Sequence, residues 1–492
     1  METINEWIVW LNDGYWKFLV IPLLVLLSVY FTFRLGAVQV RMIPEMVRQM
    51  RSNPEVAPDG KRAVSSFGAF SISAAARVGT GNIVGVAGAI AIGGPGAVLW
   101  MWIMGVLVGA ASFVESTLGQ LYKERDRTGY RGGPAYYMEK GLGARWAGVI
   151  FAIAIIVTFS LTFTATQSNS IAEAISTSVA IAGTGELVAD AAILSTSVKL
   201  LVGVAIVGTS ALVVLGGVRR IAHVAQALVP FMALAYIVLG LIVVALNVDQ
   251  IPRVFTEIVQ GAFGIEEFGG AAVGTAIVQG VRRGMFSNEA GLGSAPNAGA
   301  TASVTHPAKQ GLVQTLGVFV DTLIICSITA FVIVVSNPSY GDEDLGPVLT
   351  QGALLDSLGV WAVHAITAIL LLLCFTSVLG NYYYGEANVY FLARGEPGRA
   401  LLGFQFIFLA AAFLGSVGTV EIIWNLADTT MGLMAVVNLL ALAPLTGVVV
   451  LVLRDYRDQL RQGIDPVFTR DRLPQLRGVE CWEPGEETTT RT

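Results

Sequence analysis

The sequence predicts an all-α polytopic membrane protein of eleven transmembrane helices: one extra N-terminal helix, then five and five as an inverted repeat. Three observations carry this. First, 54% of the 492 residues are hydrophobic and only 13% charged, and mean hydropathy is +0.68, outside the usual range of soluble domains. Second, apolar runs long enough to cross a bilayer recur at 17–33, 66–92, 96–122, 146–180, 197–216, 221–247, 271–300, 309–336, 360–392, 400–418 and 421–453. Third, the runs 66–92 and 271–300 are interrupted by glycines and polar residues, and each opens one half of the remaining chain.

Taken in order, residues 1–65 hold the extra helix and a basic loop, 66–247 the first five-helix repeat, 248–270 an external loop, 271–453 the second repeat and 454–492 a cytoplasmic tail. The N-terminus does not read as a signal peptide, because Glu2, Glu6 and Asp13 precede the first apolar run in place of Lys or Arg. Basic residues set the orientation. Arg34, Arg41, Arg48, Arg51, Lys61 and Arg62 follow the first span, Lys123, Arg125, Arg127, Arg131, Lys140 and Arg145 the third. Alternate loops downstream continue the pattern, and Arg454, Arg457 and Arg461 lie in the tail. The opposite side carries acids such as Asp249, Glu266, Glu267, Asp342, Glu343 and Asp344. The expectation is therefore an N-terminus outside and a C-terminus in the cytoplasm, which an odd number of spans also requires. An odd number of helices per half inverts the second half relative to the first, the arrangement of many secondary transporters. In the loop 248–270, Ile251 to Val259 is amphipathic and reads as a structural helix capping the bundle.

The two interruptions are the informative stretches. Ala75-Ala76-Arg77-Val78-Gly79-Thr80-Gly81-Asn82-Ile83 places two glycines and two polar side chains mid-span, and Arg283-Gly284-Met285-Phe286-Ser287-Asn288-Glu289-Ala290-Gly291-Leu292-Gly293-Ser294-Ala295-Pro296 does the same in the other half. Lipid cannot satisfy freed backbone groups, so broken helix at membrane depth is tolerated only where it lines a buried or watery site. A half-helix N-terminus suits a carboxylate. Unwound carbonyls suit Na⁺ or an ammonium. Together they suit a zwitterion, hence a small amino acid. Gly85 and Gly88 read instead as close helix packing.

Thr376 and Ser377 put adjacent hydroxyls in an apolar helix, either as oxygen ligands for a cation or bonded back to their own backbone. Intramembrane charges are Arg77, Glu115, Glu173, Arg282, Arg283, Glu289, Asp321 and Glu386. For Arg77, Arg283 and Glu289 the favoured reading is ion pairing that holds the broken helices together; Asp321 is the lone acid suited to cation or proton coupling, or to a structural hydrogen bond. Gln167 and Ile171, four apart, share one helix face and read as a pocket wall or as a helix–helix contact. No P-loop, no His/Cys/carboxylate cluster and no nucleophile motif is present, and the cysteines Cys326, Cys374 and Cys481 make no framework, so an enzyme is not expected.

Those two stretches, together with Gly132-Gly133-Pro134-Ala135-Tyr136-Tyr137 and Tyr383-Tyr384-Gly385-Glu386, resemble the alanine-or-glycine:cation symporter family, also called sodium:alanine symporters. The resemblance covers nearly the whole chain. It implies a leucine-transporter-type fold with one extra N-terminal helix and Na⁺-driven uptake of small neutral amino acids by alternating access. It assigns Thr80, Gly81 and Asn82 to the substrate carboxylate, and Gln167, Ile171, Phe286 and Ser287 to the amino group and side chain, with Gly291 of the same second motif placed beside them. It implies Na⁺ held by the carbonyls of Ala75 and Val78 and the hydroxyls of Thr376 and Ser377; Asp321, Glu289 and Arg77 are candidate coupling residues by their charge at membrane depth, apart from the resemblance. One departure stands out: where the family has Gly-Trp-Ser-Tyr-Tyr-Gly-Glu, this chain has Asn381 in place of the Trp. That implies either a roomier, more polar pocket, with serine, asparagine or glutamine accepted besides alanine and glycine, or an Asn381 that faces a neighbouring helix while Tyr382 or Tyr383 fills the space. The expected coupling ion is sodium, with protons the alternative. The expected partners are a small neutral amino acid and membrane lipid, with no nucleic acid and no obligate protein partner. The expected location is the plasma membrane of a prokaryote. A channel or a transporter-derived sensor is the reading from another class.

Overall fold

A computed structural model describes residues 12–51, 57, 59–127, 129–184, 196–265, 273–340, 346–418 and 420–483. Glu2, Glu6, Glu266, Glu267, Asp342, Glu343 and Asp344, used above, lie outside the described residues.

Helix α1 (Asn12–Arg34) precedes a bent pair, α2 (Ser66–Arg77) and α3 (Gly81–Gly93), whose axes differ by 50°. Then come α4 (Ala97–Leu121), α5 (Pro134–Leu142), α6 (Arg145–Gly183), α7 (Val198–Val214), α8 (Gly217–Leu246) and α9 (Ile251–Phe263). The second half runs α10 (Val273–Asn288), α11 (Ala295–Gly299), α12 (Pro307–Val335), α13 (Gly346–Leu358), α14 (Val360–Leu392), α15 (Arg399–Val417) and α16 (Ile423–Arg461). Among the described residues, eight helices are long and apolar enough to cross a membrane, or nine if the bent pair is one span. The other two expected runs differ for physical reasons. Helix α7 is short, and α10 carries Gln279, Arg282 and Arg283, which lower its hydropathy. Near the expected cap over 251–259, the amphipathic α9 buries Val254 and Ile258. A two-stranded antiparallel hairpin, β1 (Glu124–Asp126) with β2 (Gly129–Arg131), is the departure from an all-helical reading.

Local sequence explains the ends. Ser65 caps α2 by accepting the Gly68 N–H at 3.0 Å. Helix α2 stops at Val78, which is extended at φ −80° and ψ 92°. Helix α10 stops at Glu289, φ +57°, and Gly291 and Gly293 follow at +83° and +80°. Glycine adopts those angles without penalty; the left-handed Glu289 is held by its surroundings, described below.

The packing places the bent pair in the middle. Helix α2 lies against α8 and α14, α3 against α10, α12 against α4, and α6 against α14 and α15. The outward face is apolar: Phe18, Phe33, Leu212 and Phe406 are each more than 70% exposed, a surface suited to hydrocarbon. The tail is not a free appendage as far as residue 483. Helix α16 runs to Arg461, and the Phe468 N–H donates to the Thr305 carbonyl at 2.8 Å. The Trp482 indole donates to the Leu121 carbonyl at 3.2 Å, and Lys123 Nζ lies 4.6 Å over the Trp482 ring. His306 caps α12 by accepting the Ala308 N–H on Nδ1, which leaves Nε2–H to donate to Asp455 at 3.2 Å. Burial holds this ring down to about 4, against the hydrogen bond to Asp455.

Candidate functional site

The first break redistributes its hydrogen bonds in a specific way. The Gly79 N–H, which an unbroken helix would direct to the Ala75 carbonyl, donates to Asn82 Oδ1 at 3.0 Å. The Thr80 N–H, which would serve Ala76, donates to Gln167 Oε1 at 3.2 Å, and Gln167 Nε2 donates to the Thr80 hydroxyl at 3.1 Å. The Asn82 N–H turns to the Gly79 carbonyl at 3.3 Å, which releases the Val78 carbonyl. The carbonyls of Ala75 and Val78 thus lose their helical partners. The Ser377 hydroxyl lies 3.4 Å from the Val78 oxygen. Both hydroxyls of the Thr376–Ser377 pair also donate to the Leu373 carbonyl at 3.0 Å. Ile171 packs in the same apolar cluster as Ala75, Val78 and Ile83.

Asp321 of α12 brackets the two halves. One carboxylate oxygen accepts from Asn82 Nδ2 at 2.6 Å, the other from the Ser287 hydroxyl at 2.7 Å. Cys326 Sγ lies 3.4 Å from Asn82 Nδ2 and 3.2 Å from Ser287 Oγ. Thr329 donates to the Asn82 carbonyl at 2.7 Å and is itself bonded to the Tyr236 hydroxyl at 2.5 Å. Close approach of backbones makes this bracket fit: a methyl on Gly81 would stand 2.9 Å from Ser287 Cα and 3.0 Å from the Phe286 ring. Phe286 stacks between Phe163, with centroids at 4.5 Å, and Trp424, at 4.9 Å. Beyond it, Asp428 of α16 pairs with Arg282 at 3.0 Å and Arg283 at 3.2 Å.

The second break is held separately. Glu115 of α4 accepts the N–H groups of Gly291 at 3.3 Å and Gly293 at 3.0 Å, and the Asn438 amide at 2.9 Å. Asn438 also donates to the Gly291 carbonyl at 3.0 Å, and Tyr137 donates to Asn438. Glu289 accepts from Ser294 at 2.7 Å and from Tyr384 at 3.4 Å.

Set against the expected residues, the structure joins Thr80, Gly81, Asn82, Gln167, Phe286, Ser287 and Asp321 in one contiguous cluster, with Ala75, Val78, Ser377 and Ile171 at its edge. Gly291 stands apart, because its N–H and carbonyl are both engaged by Glu115 and Asn438. Asn82 differs from a free carboxylate donor: its amide is spent on Gly79 and Asp321. The ion pairing expected between the broken helices is absent among the described residues. Arg77 donates to the Gln314 carbonyl at 3.1 Å, and its Nε and Nη2 have no hydrogen-bond partner there. The reason is geometric, since serine, tyrosine, backbone and asparagine donors already surround Glu115, Glu289 and Asp321. Glu173 and Glu386 pair away from the breaks, with Lys199 at 2.9 Å and Arg131 at 3.7 Å. Asp428, Asn438, Trp424 and Phe163 are site residues that sequence reasoning missed. The signal for the first two was present, as polar residues ten apart in an apolar run. No group of three or more His, Cys, Asp or Glu suited to a metal occurs among the described residues.

Comparison with known proteins agrees with this picture. Residues 1–470 match the family model described as the sodium:alanine symporter family. A probable sodium/glutamine symporter of Bacillus subtilis (strain 168), GlnT, is 46% identical over 100% of this chain and 99% of its own. A putative sodium/proton-dependent alanine carrier protein of the same organism, YrbD, is 40% identical over 96% of both chains. Among solved structures, that of MhsT in complex with L-phenylalanine superposes with a TM-score of 0.56 at 16% identity, over 80% of this chain and 89% of that one, a likeness of fold.

Proposed function

Because the chain belongs to the sodium:alanine symporter family, a family of multi-pass amino-acid transporters and not of enzymes, we propose that it couples inward Na⁺ flow to uptake of small neutral amino acids by alternating access. The observation that supports this is the meeting of the two helix breaks, with Gly81 against Ser287 and Asp321 bonded to Asn82 on one side and Ser287 on the other. A group that grips both broken helices links a ligand bound at either to movement of both.

In this reading eleven spans form a five-plus-five inverted repeat behind an extra helix. The N-terminus is outside and the C-terminus cytoplasmic, in a prokaryotic plasma membrane. The substrate carboxylate takes the N-terminal amides at Thr80 and Gly81, displacing the Gln167 carboxamide that now occupies Thr80. Phe286 and Ile171 wall the side chain. Na⁺ takes the released carbonyls of Ala75 and Val78 and the hydroxyls of Thr376 and Ser377, an all-oxygen set that suits a hard monovalent cation. Asp321 is the coupling acid. Proton coupling is the second reading: Asp321 is a buried acid at the centre of the site, and one relative is described as sodium/proton-dependent. Among substrates, alanine and glycine come first; the relative described as a sodium/glutamine symporter favours adding glutamine.

The test is uptake of labelled alanine into proteoliposomes with an inward Na⁺ gradient, then with a pH gradient instead. Accumulation above the outside concentration that collapses with the Na⁺ gradient is expected. Accumulation driven only by the pH gradient replaces Na⁺ by protons. Equilibration without accumulation sinks the symport reading and leaves a channel.

A further inference from the structure

Asn381 lies in the middle of α14, 1% exposed, and neither end of its amide has a hydrogen-bond partner: both Oδ1 and Nδ2 are buried and unmatched among the described residues. The other buried asparagines around the breaks differ. Asn82, Asn288, Asn297, Asn388 and Asn438 each donate to a named acceptor. A buried amide without partners is costly, and native interiors rarely keep one that nothing ever satisfies.

Its position relates it to the site. Asn381 is one turn beyond Ser377 on the same helix face. Ser377 lies at the first break, where a methyl on Gly79 would stand 2.3 Å from Ser377 Oγ and 2.9 Å from Gln167 Oε1. On the other side, the Ser160 hydroxyl donates to the Asn381 carbonyl at 3.0 Å, so α6 lies alongside. Phe163 and Gln167 follow Ser160 at helical spacing, and Phe163 contacts Phe286. Asn381 thus stands one helical turn from the Gly79–Gln167–Ser377 contact, and its backbone meets α6 one turn before Phe163, which packs on Phe286.

An unmatched donor beside an unmatched acceptor has a definite complement. A hydrocarbon side chain leaves both unmatched. A carboxylate satisfies Nδ2 and repels Oδ1. A second carboxamide satisfies both, its oxygen accepting from Nδ2 and its NH₂ donating to Oδ1. We propose that Asn381 is a specificity-determining residue that pairs with the side-chain carboxamide of a transported amino acid, so that among substrates longer than alanine the preferred class is glutamine and asparagine, over apolar or acidic side chains of the same length. This rests on the symport reading above and adds the substrate class to it.

The experiment is competition against uptake of labelled alanine into proteoliposomes with an inward Na⁺ gradient by glutamine, by methionine, which is as long and lacks the carboxamide, and by glutamate. Glutamine is expected to compete at a concentration at least about tenfold below methionine and glutamate, since a site built to hydrogen-bond a substrate group discriminates against analogues lacking it. In Asn381→Leu, or in Asn381→Ser if the leucine variant does not fold, the glutamine-to-methionine ratio should fall toward one. Equal competition by glutamine and methionine in the unmodified protein overturns the proposal, as does a ratio unchanged in a folded variant. If neither alanine nor glutamine is accumulated, the symport reading fails. The Asn381 question is then decided by thermal-shift binding of glutamine against methionine, which needs no gradient.

Discussion

Gly81→Ala tests the meeting of the two breaks. The added methyl would stand 2.9 Å from Ser287 Cα, and ordinary contact is 3.4–4 Å. The backbones must therefore separate by about 0.5–1 Å, since Ser287 Cα cannot rotate away as a side-chain tip could. Overpacking of this kind costs about 1–3 kcal/mol, and a misplacement of about 1 Å in a positioned site is worth roughly 100-fold. The expected result is a KM for amino-acid uptake raised about 10- to 100-fold with the protein still folded. Gly88→Ala is the internal control: the close packing expected there is not formed, since a methyl on Gly88 meets nothing within 4 Å, it lies in α3, and alanine is the better helix former by about 1 kcal/mol. Its KM should stay within about twofold of wild type. Uptake by Gly81→Ala at the wild-type KM would refute the claim that the breaks form one site.

Two further outcomes concern the site and one the tail. Thr376→Val with Ser377→Ala removes two hydroxyls at nearly constant volume, and the Na⁺ concentration giving half-maximal uptake should rise at least about tenfold; an unchanged Na⁺ titration would place the cation elsewhere. Asp321→Asn keeps the shape but loses the charge that accepts from Asn82 and Ser287 at 2.6 and 2.7 Å. With hydrogen bonds to a charged group worth about 1.5–3 kcal/mol, substrate affinity measured by equilibrium binding should fall about 10- to 150-fold, and wild-type affinity would remove Asp321 from the coupling role. At the tail, burial holds His306 at about 4, below its ordinary 6.5. The unfolded chain therefore binds the proton first as pH falls. The stabilising contribution of the neutral ring is full above about 6.5 and is lost progressively toward pH 4, up to about 3 kcal/mol. Thermal unfolding across pH 7.5 to 4.5 should show a falling Tm that His306→Asn flattens, and identical slopes in the two proteins would dismiss the ring as the cause.

A helical membrane protein, most of its apolar helices, and the two stretches where helix breaks were legible in the sequence. Those features are local. Lipid demands long apolar runs with paired backbone, and glycine with polar residues inside such a run has few other uses. The adjacent polar residues Thr80, Asn82, Ser287 and Gln167 were legible for the same reason. Which donor meets which acceptor came from the packing of distant helices. That Asn82 is spent on Asp321, that Glu115 and Asn438 hold the second break, that Arg77 pairs, among the described residues, with a backbone carbonyl and no acid, and that Asp428 ties Arg282 and Arg283 depend on contacts between residues some 145 to 323 positions apart. Spacing along a helix gives the face a side chain occupies; it carries no information about which distant helix arrives there. For a buried charge that is the whole question, because in a low dielectric its role is fixed by its nearest donors.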